Sequence, residues 1–207
     1  MTILKNFWVF EGLDGAGTTT ELNIISNYLM ENGRAYISTC EPTDNEIGKL
    51  IRKILSGETI ATQSTISKLF SADRDDHLTN PVYGIYKHLN DGKIVLSDRY
   101  LFSSLAYQSV NFDYEAVYEL NKNFPLPEVT FFLDVPLDVC LKRITDRNKK
   151  FEIYERKDYL KSVIENYKKC INAFKENCNI IIINGNESIK SVSENILEVI
   201  NELLSKN

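Results

Sequence analysis

The chain of 207 residues is short of several things, and each shortage removes a class of function. It has no excess of positive charge: 24 Lys and Arg stand against 29 Asp and Glu, a net charge of −5. Proteins that coat nucleic acid carry a basic face, so no nucleic acid partner is expected. No apolar run reaches the roughly 18 residues that cross a bilayer, so no membrane partner is expected either. Met1 to Asn6 lead straight into a strand-like segment, without a long apolar stretch or a small-residue cleavage site, and a cytoplasmic location is the expectation. There are two histidines, His77 and His88, with no partner at metal-ligand spacing, and neither is given a role. Cys40, Cys140, Cys170 and Cys178 form no CxxC pair and read as four reduced thiols.

What is present is the composition of an ordinary globular protein, 43% apolar and 26% charged. The length fits one domain over residues 1–207. Short apolar runs alternate with helical periods. Strands are expected at Phe7 to Glu11, Ala35 to Cys40, Lys93 to Asp98, Val129 to Asp134 and Asn179 to Asn184. Helices are expected at Thr18 to Asn32, Ile47 to Leu55, Thr65 to Asn90 (broken or kinked by Pro81), Ser103 to Asn123, Leu137 to Arg147, Tyr159 to Asn177 and Ile189 to Leu204. That order argues for an α/β fold, a five-stranded parallel sheet with helices on both faces, forming three layers. Such sheets bind ligands at the carboxyl ends of their strands.

The polar motifs fall at those ends. Gly12-Leu13-Asp14-Gly15-Ala16-Gly17-Thr18-Thr19 follows the first strand and opens a helix. It fits G-x-x-x-x-G-K-[ST] except at Thr18, where the pattern has lysine. Glycines let backbone N–H groups close on phosphate oxygens, and a helix N-terminus adds partial positive charge. Thr19 supplies the hydroxyl that such loops offer to Mg²⁺. The missing lysine matters, since losing one preorganised donor typically costs ~10²–10³ in rate.

Ile94-Val95-Leu96-Ser97-Asp98-Arg99 is an apolar strand ending in an acid and a base. It reads equally as the second metal motif of phosphate-loop enzymes, with Asp98 serving Mg²⁺, or as a surface ion pair. Phe70 and Arg74 share a helix face and suit either a stacked nucleobase or a core phenylalanine beside a snorkelling arginine. Lys142, Arg143, Arg147, Lys149 and Lys150 lie within nine residues. With the polar, aperiodic segment Asn148 to Arg156 they read as a short mobile lid at about 147–156, or as a solvated charge run.

Taken together, these pieces resemble the thymidylate kinase family of phosphate-loop nucleoside monophosphate kinases along nearly the whole chain. The matching segments are 10–17, Glu-Pro-Thr at 41–43, Ile-Gly-Lys-Leu at 47–50, Leu-Phe-Ser-Ala-Asp-Arg at 69–74, Asp-Arg-Tyr at 98–100 with 103–108, Leu-Asp-Val-Pro at 133–136, Leu-Lys-Arg at 141–143 and Tyr-Glu-Arg at 154–156. The resemblance implies the fold of phosphate-loop NTPases, ATP and dTMP as substrates, Mg²⁺ with the ATP, and a homodimer. It implies that residues 12 to 19 bind ATP, with Thr19 and Asp98 serving the metal. Asp14 meets the sugar 3′-hydroxyl, Phe70 stacks on thymine, and Arg74 bonds its edge. Arg99 holds the acceptor phosphate, and Tyr107 presses where a ribose 2′-hydroxyl would project. Ser104 and Gln108 lie near the base, and Glu155 matches an acid that follows the lid. Arg143 and Arg147 match lid-side arginines, and Gly15 points to the lid rather than the loop as the source of the catalytic cation.

Two departures reduce positive charge around phosphate. One is Thr18; the other is Cys40 to Thr43, which lacks an arginine that many relatives carry there. Lid cations, chiefly Arg147, Lys149 and Lys150, are expected to compensate. Alternatives from the residues alone are a deoxynucleoside kinase and a nucleotide-binding protein with little turnover.

Overall fold

The computed structural model describes residues 2–146 and 157–205. Strand β1 (Ile3–Gly12) carries the first apolar run, and Phe7, Trp8, Val9 and Phe10 are fully buried. Four further strands join it: β2 (Tyr36–Cys40), β3 (Ile94–Asp98), β4 (Leu126–Asp134) and β5 (Ile180–Asn184). All pairings are parallel, in the order β2-β3-β1-β4-β5. The chain leaves β1 for one side of the sheet and later returns to the other side, so the switch in strand order lies at β1. A crevice opens at the carboxyl end of such a strand. Register decides what meets there: Asp98 pairs with both Phe10 and Cys40, and Gly12 pairs with Leu133.

The helices are α1 (Thr18–Glu31), α2 (Glu46–Leu55), α3 (Gln63–Thr79), α4 (Ile85–Asn90), α5 (Leu101–Tyr107), α6 (Tyr114–Asn121), α7 (Leu137–Asp146), α8 (Lys157–Phe174) and α9 (Ile189–Ser205). Leu22, Ile25 and Leu29 bury the predicted face of α1. Both sheet faces are covered. Phe132 packs its ring on Tyr167 of α8, 5.0 Å between centroids, and Phe131 is fully buried although strand alternation turns it to the opposite face.

Pro81 separates two helices rather than kinking one, because α3 stops at Thr79 and α4 starts at Ile85. The helix expected over Ser103 to Asn123 is also divided. It becomes α5, a 3₁₀ turn at Gln108–Val110, and α6, which begins afresh where Asp113 accepts from Ala116 N at 2.9 Å. The isoleucine run of β5 forms an edge strand, and Ile182 is 58% exposed. The four cysteines are free thiols; burial pushes Cys140 and Cys178 up to about 11 and Cys170 to about 12. Among the described residues no helix is long and apolar enough to cross a membrane.

Candidate active site

The phosphate loop spans the end of β1 and the start of α1. Gly17 caps the helix at φ 107°, and among the described residues no side chain makes a capping hydrogen bond to its first N–H groups. These groups and the helix dipole face outward together, which makes an anion site. Gly15, at φ 83°, is required by its neighbour: a Cβ there would stand 2.6 Å from the carbonyl oxygen of Cys140. Helix α7 therefore seats directly on the loop. From that seat Arg143 Nη1 donates to the carbonyls of Gly15 at 3.3 Å and Ala16 at 3.1 Å, and its Nη2 to Gly185 at 3.2 Å. Thr18 is buried, 6% exposed, so its side chain belongs to the loop's packing rather than to its open face.

Thr19 and Asp98 meet across the crevice. Thr19 Oγ1 donates to Asp98 Oδ2 at 2.5 Å, while Asp98 Oδ1 is buried and has no hydrogen-bond partner among the described residues. A hydroxyl and an orphaned carboxylate oxygen are hard donors that suit Mg²⁺, which takes one or two carboxylates and keeps its waters. Among the described residues no group of three or more His, Cys, Asp or Glu forms a protein cage, and Mg²⁺ does not need one.

A second cavity opens beside the loop, between α3 and α5. Asp14, Phe70, Arg74, Arg99, Ser104, Tyr107 and Gln108 all line it. Phe70 stands half-buried on the wall. Arg74 is wholly buried rather than snorkelling, which removes one of the two readings of that pair. Glu41 Oε2 accepts from its Nε at 3.0 Å and Nη2 at 2.6 Å. Ser104 Oγ and the Tyr100 carbonyl also accept from Nη2, at 2.9 and 3.0 Å, and Asn121 Oδ1 accepts from Nη1. Burial alone would push Glu41 up, but Arg74 and His77 hold it below the usual carboxylate range. Gln108 is 3% exposed, and its Oε1 has no partner among the described residues.

Arg99 occupies the mouth of this cavity in a left-handed conformation, φ 73°. Its Nη2 donates to Asp14 Oδ1 at 2.5 Å and its Nη1 to the Gly12 carbonyl at 3.1 Å and Ser103 Oγ at 3.0 Å. Its guanidinium lies 5.0 Å over the Tyr107 ring. Tyr107 itself is 6% exposed and accepts from Asp14 N at 3.1 Å. Arg99 and Tyr107 thus both touch the phosphate loop and the second cavity, and Arg99 is the one of the two that brings a positive charge there.

A model of the thymidylate kinase family matches residues 10–196. The chain is 42% identical over 206 residues to a putative thymidylate kinase of Treponema pallidum, covering 98% of each chain. It is 37% identical to a probable thymidylate kinase of Methanococcus aeolicus, again over 98% of each, and 37% identical to one of Thermococcus kodakarensis, over 97% of this chain and 99% of that one.

The chain belongs to the thymidylate kinase family.

Within that family frame, several residues that build the site were assigned no role from the sequence. Glu11, fully buried, accepts from Tyr100 N, Ser103 N, Ser103 Oγ and Tyr167 OH, and so fixes the start of α5 behind Arg99. Burial raises its pKa above the ordinary value. Tyr167 also donates to the Gly12 carbonyl at 3.2 Å from α8. Arg52 of α2 donates to the carbonyls of Pro42 and Thr43, which braces the loop where the family pattern often has its own arginine. Gly48 permits this, because a Cβ there would collide with the Thr43 carbonyl oxygen at 1.8 Å. Arg147, Lys149, Lys150 and Glu155 lie outside the described residues, as does the expected lid.

Proposed function

We propose that the chain transfers the γ-phosphoryl group of ATP to dTMP, yielding dTDP for dTTP synthesis. The observation that carries this reading is a single cavity in which Phe70, Arg74 and Gln108 face Arg99 and Asp14 at the edge of the phosphate loop. Phe70 offers a ring for stacking on thymine. The unpartnered Oε1 of Gln108 is an acceptor for a pyrimidine N–H, and Arg74 keeps an Nη1 N–H for a carbonyl. Arg99 holds the acceptor phosphate, Asp14 the 3′-hydroxyl, and Tyr107 fills the space of a 2′-hydroxyl. Residues 12 to 19 hold the phosphates of ATP.

Phosphoryl transfer is mostly positioning and neutralised charge, and the acceptor phosphate is already an anion, so no general base is required. Thr19 and Asp98 would hold Mg²⁺, which would supply neutralisation of phosphate charge there. The cations that stand in for the loop lysine come from residues 147–156, chiefly Arg147, Lys149 and Lys150; Glu155 acts on the substrate side. This reading makes residues 1–207 one domain with its lid at about 147–156, working as a homodimer in the cytoplasm. The family membership supports it, and does not favour a deoxynucleoside kinase or an inactive binding protein.

A coupled ADP-release assay with ATP and Mg²⁺ tests the proposal, offering dTMP, dUMP, dCMP, dGMP, UMP and thymidine in turn, with EDTA as control. Metal-dependent turnover is expected on dTMP above all others. Turnover on thymidine would make the protein a nucleoside kinase, and silence on every substrate would leave a binding protein.

A further inference from the structure

Arg74 is buried at 0% exposure, so bulk water does not orient its guanidinium; protein does. The chief partner is Glu41, and it divides its two oxygens. Oε2 takes Arg74, as described above, and Oε1 takes His77 Nδ1 at 3.0 Å. On the far side of the ring His77 Nε2 meets Thr39 Oγ1 at 2.7 Å. One hydrogen-bonded chain therefore runs from strand β2 through His77 and Glu41 to the wall of the base cavity. Its interior links are dry: Glu41 is 5% exposed and His77 3%.

The last torsion of a glutamate side chain is broad and roughly two-fold, so a carboxylate held at one oxygen can turn. Held at both, it has one plane. A guanidinium bound to a carboxylate follows that plane, because its N–H groups are fixed in a rigid fork. Arg74 Nη1 has Asn121 as its partner and one N–H beyond that, and the direction of this last N–H follows the rest of the group.

We propose that His77 is a positioning residue for base recognition: by holding Oε1 of Glu41 it sets the angle at which Arg74 meets the edge of the pyrimidine. The role rests on the dTMP kinase reading above. It is exerted through Glu41 alone, and His77 touches no substrate atom.

Two conservative replacements separate this role from simple packing. His77→Asn places an amide N–H near the position of Nδ1 and keeps the bond to Glu41 while losing Thr39. His77→Gln reaches the position of Nε2, keeps Thr39 and loses Glu41. KM for dTMP and dCMP, KM for ATP, and kcat are measured for both and for the wild type. Loss of one buried, charge-assisted hydrogen bond in His77→Gln is expected to raise KM for dTMP about tenfold and to narrow the preference over dCMP by a similar factor. Its kcat and KM for ATP should stay within about twofold, as for an interaction made equally before and during the reaction. His77→Asn should remain within about threefold of wild type throughout.

If Gln performs as well as Asn, or if both move the ATP and dTMP constants alike, His77 is a packing residue and the proposal falls. Should either variant melt early, the rise in its melting temperature at saturating dTMP reads pocket affinity on the folded fraction, and the same order of Asn above Gln is required. A wild type that shows no dTMP turnover overturns the kinase reading itself, and this proposal with it.

Discussion

At the acceptor end of the cleft, Arg74 and Arg99 are each fixed by several partners drawn from different elements: Glu41, Ser104 and Asn121 for the first, Asp14, Ser103 and the Gly12 carbonyl for the second. At the donor end the loop offers backbone N–H groups and a helix dipole, Thr18 is turned into the packing, and Arg143 of α7 is spent on loop carbonyls. The contrast separates two ways of handling anions. The acceptor end is preorganised by buried networks, which cost nothing to arrange when substrate arrives. The donor end presents oriented dipoles, and in the function proposed above it draws its positive charge from elsewhere in the chain.

If the two ends are separate in this sense, the largest effect should come from the residue at their junction. Arg99→Met is expected to lower kcat/KM for dTMP by ~10²–10³ while leaving ATP binding in the absence of dTMP nearly unchanged, as measured by kinetics and calorimetry. An equal loss of ATP affinity would break the comparison. Asp98→Asn should lower kcat by ~10² and raise the Mg²⁺ concentration needed for half-maximal rate. A fall in kcat with an unaltered Mg²⁺ titration would remove Asp98 from the metal site.

Phe70→Ala tests the acceptor end by itself. Stacking on a base is worth ~1–3 kcal/mol, so KM for dTMP should rise about 5- to 150-fold, with kcat almost unchanged. The smallest effect is expected from Thr18→Lys. If other cations fill the vacancy, kcat stays within about threefold of wild type or falls; a rise of ~10²-fold would show that the donor end lacks a charge it needs. That outcome would sharpen the contrast between the two ends into a defect.

Much of the fold was legible because its signals are local. The buried runs at Phe7 to Phe10 and Ile94 to Leu96, and the stripe Leu22, Ile25 and Leu29, mark strand and helix by spacing alone. The break at Pro81 was legible from the proline itself, whereas the one before Asp113 was not, since a helical period continues across it and only the Asp113 cap decides where the helix restarts. In the site, the loop, Asp98 and Arg99 could be read from motif and position. His77 could not: two isolated histidines carry no spacing signal, and its partners Thr39 and Glu41 belong to another element.

The sequence by itself determined that a glycine loop follows a buried strand, that an acid ends another, and which family pattern these pieces make. Only the tertiary structure decided which oxygen of Glu41 meets Arg74, that Tyr167 and Glu11 stand behind Arg99, and that α7 seats on Gly15. The reason is distance along the chain. Glu41 and Arg74 are 33 positions apart, and Glu11 and Tyr167 are 156. Periodicity and propensity act within a few turns, whereas strand register and the close approach of backbones at Gly15 and Gly48 bring such groups within hydrogen-bond reach.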